Sequence, residues 1–234
     1  MAIGQTKPNL SVVIAVRNEA RGLALLLADL ATAPWLVREV LVSDGDSRDQ
    51  TAVIAELAGA QVLRNRPSRG LQLAHGAATA SGEWLLLLHG DVRLPVGWAI
   101  MLVKAMAVGD KIAWAFHLSI DCTDPALRLV EWAVSLRSCL AQLPYGDQGL
   151  LLSLASYQAS GGIAPLPIME DLEFILRLRQ QVQIRCLDKA LKVNGRRWQQ
   201  LGVWQTIVSN AKLRRDWRRG LAEEKLMKRY YSEF

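Results

Sequence analysis

The 234-residue sequence predicts an α/β fold: a mostly parallel central sheet covered by helices on both faces, followed by a C-terminal helical segment. Two observations carry that expectation. Short apolar runs alternate with segments whose leucines recur at helical spacing, and the joins between them are only a few residues long. Alternation with short connections is the pattern of parallel strands. The runs are continuously apolar rather than alternating, as strands buried on both faces must be.

The elements follow in order. SVVIAV (Ser11 to Val16) reads as the first buried strand, and Glu19 to Ala31 as a helix with leucines at 23, 26, 27 and 30. EVLVSD (Glu39 to Asp44) is the second strand, with a helix closing at Gly59 after it. AQVLRN is the third strand, Arg69 to Ala80 a helix, and EWLLLLHGD (Glu83 to Asp91) a fourth strand with a polar end. Beyond Pro95 the regularity breaks. A helix fills 97–108, WAFHLSI (Trp114 to Ile120) alternates like a strand, and Leu129, Ala133, Leu136, Leu140 and Leu143 make 125–143 an amphipathic helix. Met169 to Gln181 is helical, RCLDKALKV forms short strands, and 199–231 is mostly helix with Gly220 as its weak point.

Composition narrows the classes. With 51% hydrophobic and 21% charged residues there is material for a core, so disorder throughout is excluded. Uninterrupted apolar runs such as Trp84 to Leu88 fall far short of the ~18 apolar residues of a membrane span. MAIGQTKPNL shows no export signal, so a cytoplasmic location is expected. Three scattered cysteines, Cys122, Cys139 and Cys186, suggest free thiols rather than a disulfide framework or a zinc site. The net charge of +6 is placed unevenly: from residue 185 onward there are 13 Lys/Arg against 5 Asp/Glu.

In an open α/β sheet, ligands bind just beyond the carboxyl ends of the strands. Here those ends are polar: Arg17-Asn18-Glu19, then Ser43-Asp44-Gly45-Asp46-Ser47, then His89-Gly90-Asp91. Helix capping and turns explain each alone, but not all three as readily. No G-x-G-x-x-G follows the first strand and no P-loop occurs, so dinucleotide and P-loop chemistry are disfavoured. An acid at the second strand end can accept hydrogen bonds from a base or ribose. An acid at the fourth, beside an imidazole, can hold a hard divalent cation against a diphosphate.

SVVIAVRNEA, VSDGDSRDQT, SGEWLLLLHGD and MEDLE, in that order, resemble glycosyltransferase family 2 with the GT-A fold. The likeness is closer to a bacterial branch carrying H-x-D, PYGDQG and RRW, here HGD (89–91), PYGDQG (144–149) and RRW (196–198), and it covers about residues 10–200. It implies a single catalytic domain over 1–200, with a nucleotide-binding half (10–93) and an acceptor half (94–200), and a basic amphipathic tail over 201–234. It implies that Ala15, Arg17, Glu19, Asp44, Arg69 and Gln72 contact the nucleotide. Asp91, with His89 in place of the first aspartate of D-x-D, would ligate Mn²⁺ or Mg²⁺, and Asp171 would be the general base. Tyr145, Asp147, Gln148, Glu170, Arg196, Arg197 and Trp198 would face the acceptor or diphosphate. Two further departures stand out: Ala74 where many members have asparagine, and Asn194 where processive members have the glutamine of Q-x-x-R-W.

The resemblance makes the expected reaction an inverting, metal-dependent transfer from a nucleotide-sugar, UDP-linked by family habit, to an acceptor hydroxyl. Departure of a nucleoside diphosphate concentrates negative charge that a divalent ion stabilises, while a carboxylate on the opposite face takes the acceptor's proton. Acids in a first helical turn also stabilise a helix through its dipole, the plainer account of MEDLE. The alternative from another class is a nucleotide-sugar-binding or membrane-associated scaffold that kept the fold and lost turnover. In the tail, Trp204, Val208, Leu213 and Trp217 interleave with Lys and Arg. That pattern suits either packing on the domain or a peripheral contact with anionic lipid and a lipid-linked acceptor. Nucleic acid is not expected, because no recognition motif accompanies the charge. His75 and His117 are assigned no chemistry.

Overall fold

The structure is a computed structural model and describes residues 9–232. Its strands are β1 (Leu10–Val16), β2 (Val37–Asp44), β3 (Gln61–Arg64), β4 (Trp84–His89), β5 (Val92–Arg93), β6 (Ile112–Asp121), β7 (Leu150–Ser153) and β8 (Gln183–Asn194). Its helices are α1 (Ala20–Ala31), α2 (Thr51–Leu57), α3 (Arg69–Thr79), α4 (Trp98–Met106), α5 (Ala126–Leu140), α6 (Leu154–Ala159), α7 (Glu170–Leu178), α8 (Arg196–Leu201), α9 (Val203–Arg218) and α10 (Glu223–Ser232). The strands form one sheet in the order β3-β2-β1-β4-β7-β6-β8-β5. The first four are mutually parallel, β7 runs against β4 and β6, β8 is parallel to β6, and β5 closes the edge antiparallel to β8.

Alternate residues of β1 feed two cores. Leu10, Val12, Ile14 and Val16 pack with Leu23, Leu26 and Leu30 of α1 and with α4. Val13 and Ala15 pack on the other face with Leu73 and Ala77 of α3 and Phe174, Ile175 and Leu178 of α7. The expected covering on both faces is thus present, and it follows from side chains that alternate across a strand while all but Ser11 are apolar.

Register then places the polar ends together. Ala15 lies level with Ser43 of β2 on one side and His89 of β4 on the other. The three loops that follow these strands therefore leave from one edge. After Asp91 the chain crosses to pair with the far end of β8, Val92 opposite Val193, and the Asn194 N–H donates to the Asp91 carbonyl at 3.2 Å. This pairing carries the RRW segment back to Asp91.

Three sequence readings change. The expected short strands over RCLDKALKV are one strand, β8, with an irregularity opposite Ala115–His117. The helix over 126–140 forms, but its stripe faces solvent: Leu129, Trp132 and Leu140 are exposed, Leu140 by 77%. Its opposite face packs Leu127, Val130 and Val134 on the core and has partners for its polar groups: Ser135 meets His117, Glu131 accepts from the Ile120 N–H at 2.6 Å, and Ser138 donates to Gln148 at 2.7 Å. Finally, Cys139 and Cys186 are not free thiols but a disulfide joining α5 to β8, while Cys122 is free. Their separation of 47 residues hid a Cα–Cα distance of 5.5 Å.

The tail packs on the domain through Leu213 and Leu226, which bury against Ile168, while Trp204 at its start stays 72% exposed. Among the described residues no helix is long and apolar enough to cross a membrane. Reduction of the disulfide, or Cys139→Ser, is expected to lower the unfolding free energy by about 2–4 kcal/mol, measured by urea unfolding with and without reductant.

Candidate active site

The loops at the ends of β1 and β2 are stitched to each other. The Asn18 N–H donates to Ser47 Oγ at 2.8 Å, the Glu19 N–H to Thr51 Oγ1 at 2.9 Å, and Arg48 N–H to Asn18 Oδ1 at 2.7 Å. Asp44, 2% exposed, accepts from the Ser47 N–H and hydroxyl. Gln72, from α3, donates its amide to the carbonyls of both Val16 and Ser43 at 2.7 Å, tying the two strand ends together. Gly45 lies directly over that amide, where a Cβ would come within 2.9 Å of Gln72 Oε1. These residues build the frame of the site.

Beside the frame opens a cleft of ≈ 660 Å³, within the size range of ligand pockets. It gathers Glu19, Arg69, His89, Asp91, Tyr145, Asp147, Asp171, Arg196, Arg197 and Trp198 of the residues singled out from sequence. Ala15, Arg17, Asp44, Gln72, Gln148 and Glu170 do not line it. Gln148 is fully buried, its Oε1 accepting from Ser138 and Arg137 and its Nε2 donating to the Phe116 carbonyl; it fastens the PYGDQG loop from behind. Glu170 is buried 3.1 Å from Arg69 Nε and orients that guanidinium. Asp171 sits in the first turn of α7, its Oδ2 accepting from the Gly146 N–H at 2.8 Å and its Oδ1 from the Leu172 N–H at 2.7 Å. A side chain at Gly146 would crowd this corner, with a Cβ 3.0 Å from His89 Nε2 and 3.3 Å from Asp171 Oδ2.

Against this geometry, the comparison with known sequences decides the family: the profile described as glycosyl transferase family 2 matches residues 11–152, more than half of the chain. The chain belongs to glycosyl transferase family 2. This family-2 chain is 32% identical over 198 residues to a Drosophila melanogaster protein named "Putative polypeptide N-acetylgalactosaminyltransferase 13", covering 73% of this chain and 34% of that one. It is 31% identical over 102 residues to "Uncharacterized protein MT1568" of Mycobacterium tuberculosis, covering 42% of this chain and 32% of that one. The chain thus spans about a third of the length of these curated relatives. Among solved structures it is similar to S. aureus TarS 1–349 in complex with UDP, with TM-score 0.63, 18% identity, and coverage of 80% of this chain and 60% of that one. It is also similar to glucosyl-3-phosphoglycerate synthase from Mycobacterium tuberculosis in complex with Mn²⁺, UDP and glucosyl-3-phosphoglycerate. That match has TM-score 0.57 and 20% identity, and covers 79% of this chain and 71% of that one. At these identities the likeness establishes the GT-A fold.

The cleft of this family-2 chain is charged, and several of the carboxyl groups in or behind it are buried. Burial, then the Arg69 guanidinium, lowers the pKa of His89 against the pull of Asp91 and Asp171, and its Nε2 is buried without a hydrogen bond among the described residues. Asp147 is pushed up to about 6, chiefly by burial; Arg137 opposes and Asp171 adds to the shift. Glu170 is pushed up to about 7, again by burial first, with Arg69 opposing. Glu19 is raised by burial and by the neighbouring Asp91 charge, while its ion pair with Arg196 opposes both. The Asp91 side chain faces the cleft with no hydrogen bond or ion pair among the described residues. An unpaired carboxylate with a second acid beside it fits a hard divalent cation that takes its remaining ligands from substrate and water.

Sequence reading missed one wall. Thr206, Asn210, Leu213, Arg214 and Tyr230 all line the cleft and all belong to the tail. Tyr230 carries the guanidiniums of Arg197 at 4.5 Å and Arg69 at 5.6 Å from its ring centroid. The mixture of Arg and aromatic residues in the tail is a signal that fits packing on the domain, as observed, but does not by itself point to the cleft.

Asp147 keeps its proton in the folded chain at pH values where the unfolded chain has lost it, so its favourable contribution is lost as pH rises from about 4 through about 6. Asp147→Asn is therefore expected to exceed the wild type in stability above pH ~7 by on the order of 2 kcal/mol, and to lose that advantage near pH ~4. Urea unfolding at the two pH values measures the difference.

Proposed function

We propose that the cleft transfers a sugar from a nucleoside-diphosphate-sugar, UDP-linked as in the complexes of its structural neighbours, to an acceptor hydroxyl, with inversion at the anomeric carbon. One observation carries the reading: Asp91 and Asp171, far apart in sequence, line a single cleft together with Arg69, Arg196 and Arg197. Mn²⁺ or Mg²⁺, when bound, supplies charge neutralisation on the diphosphate leaving group, and Asp91 with Glu19 beside it would hold it. Arg69, set by Glu170, and Arg197, stacked on Tyr230, offer guanidinium donors to phosphate oxygens, a geometry suited to paired N–H···O contacts. The Asp44 strand end and the Asn18–Ser47 loop would receive the base and ribose.

Asp171 takes the acceptor proton. The Gly146 N–H fixes its carboxylate in the cleft, and the oxygen lone pairs not used by that bond and the Leu172 N–H remain to accept. With the base on one face of the sugar and the diphosphate on the other, attack inverts the centre. On the outer side of α9, exposed Trp204 and Val208 are followed by Lys212 and Arg215. That face supports peripheral contact with an anionic membrane and a lipid-linked acceptor. The second reading, donor binding without turnover, is favoured by the position of His89, which faces Gly146 and Asp171 and replaces an acid of the metal motif.

Slow, Mn²⁺-dependent release of UDP from a UDP-sugar panel is the expected wild-type activity. Asp171→Asn should reduce it by about 100-fold or more while retaining UDP binding, and Asp91→Ala should abolish the Mn²⁺ dependence. UDP binding with no turnover under any metal would instead establish the second reading.

A further inference from the structure

The tail wall of the cleft carries two polar groups that the donor reading leaves unused. Asn210 and Arg214 stand one helical turn apart on α9, and both line the cleft. Neither side chain has a hydrogen bond or ion pair among the described residues. The other cleft arginines are engaged: Arg69 with Glu170, Arg196 with Glu19, and Arg197 over Tyr230. Asp216, two residues beyond Arg214, is taken by Arg229.

Arg214 instead lies 5.7 Å from the centroid of the Tyr145 ring, on which Arg137 is already stacked at 3.6 Å. Arg137 is fixed by its own bonds to the Leu143 carbonyl at 2.9 Å and Gln148 Oε1 at 3.2 Å. Two guanidiniums converging on one ring repel each other; the Asp147 and Asp171 carboxylates act on Arg137, whereas Arg214 has no carboxylate bonded to it among the described residues. A half-buried, unpaired arginine with a free amide one turn away is a fitting cradle for a phosphate, which a guanidinium can contact through two N–H groups.

We infer that Asn210 and Arg214, beside Tyr145, form a subsite for a phosphate group on the acceptor. The term acceptor rests on the transferase reading above, since Asp171, the base of that reading, lies in the same cleft and receives the Gly146 N–H next to Tyr145. The phosphate belongs either to a soluble phosphate ester or to a lipid headgroup.

The test is calorimetric titration of the full chain, saturated with UDP and Mn²⁺, with glycerol 3-phosphate, with glycerol as the neutral match, and with vesicles of phosphatidylglycerol or phosphatidylcholine. Saturable binding of glycerol 3-phosphate or of phosphatidylglycerol vesicles, without binding of the neutral counterpart, supports the subsite and identifies the source of the phosphate. Arg214→Gln should weaken that binding about 10-fold or more, as loss of a charge-assisted hydrogen bond does, and Asn210→Ala should weaken it to a lesser extent. UDP affinity should be unchanged in both variants, and Lys104→Gln, at an exposed position of α4 that does not line the cleft, should alter neither affinity. Binding of neither phosphate probe to the wild type, or equal binding to Arg214→Gln, overturns the inference. A loss of UDP affinity in Arg214→Gln also overturns it, by placing this arginine on the donor diphosphate. Should UDP itself fail to bind the wild type, the transferase reading fails, and the same titrations on the UDP-free chain still decide the phosphate subsite.

Discussion

Burying carboxyl groups is expensive, and this structure gathers five of them, Glu19, Asp91, Asp147, Glu170 and Asp171, in or immediately behind one cleft. Desolvation is the first cause of the raised pKa of Glu19, Asp147 and Glu170. Such a group is tolerated when it is neutral, paired, or aimed at a ligand. Glu170 and Glu19 are paired with arginines, and Asp171 takes two backbone N–H bonds. Asp147, its Oδ1 buried without a hydrogen bond, is pushed up to about 6, and Asp91 too faces the cleft without such a partner among the described residues. The arrangement leaves a requirement for positive charge that the proposed occupant, a nucleotide carrying a divalent cation, would meet. The tight corner at Gly146, His89 and Asp171 is the packing consequence of bringing these groups together.

Much of the scaffold was legible in the sequence for a simple reason. Strands buried on both faces, such as LSVVIAV and WLLLLH, admit almost no other reading, and their polar continuations had to emerge at one edge once the strands were parallel. Asp91 stands out because it follows such a strand, and Asp171 because MEDLE opens a helix with a cluster of acids. Asp44 and Gln72 were harder. Their side chains are spent on Ser47 and on the Val16 and Ser43 carbonyls, so they act on the site as its frame, a distinction that side-chain type alone does not make.

What escaped the sequence was long-range or inverted. The Cys139–Cys186 bridge depends on α5 lying against the irregular stretch of β8, and no spacing rule encodes that adjacency. Leu129, Leu136 and Leu140 form a regular helical stripe, yet the opposite face of α5 takes the interior, where Leu127, Val130 and Val134 pack on the core and Ser135, Glu131 and Ser138 each find a partner. Periodicity reports that a helix has two faces; the partners decide which one is buried. The tail shows the same limit. Its basic and aromatic residues were visible, but only the packing of Leu213 and Leu226 on Ile168 turns Arg214 and Tyr230 into the cleft.

The claim that these carboxylates form one nucleotide and cation site is tested most directly by a crystal structure of the chain with UDP and Mn²⁺, collected with anomalous scattering at the manganese edge. The account predicts a single strong manganese peak bonded to the Asp91 carboxylate and to the UDP diphosphate, with the Asp171 carboxylate facing the same space. A nucleotide seated outside this cleft, or manganese held by groups other than Asp91, would contradict it.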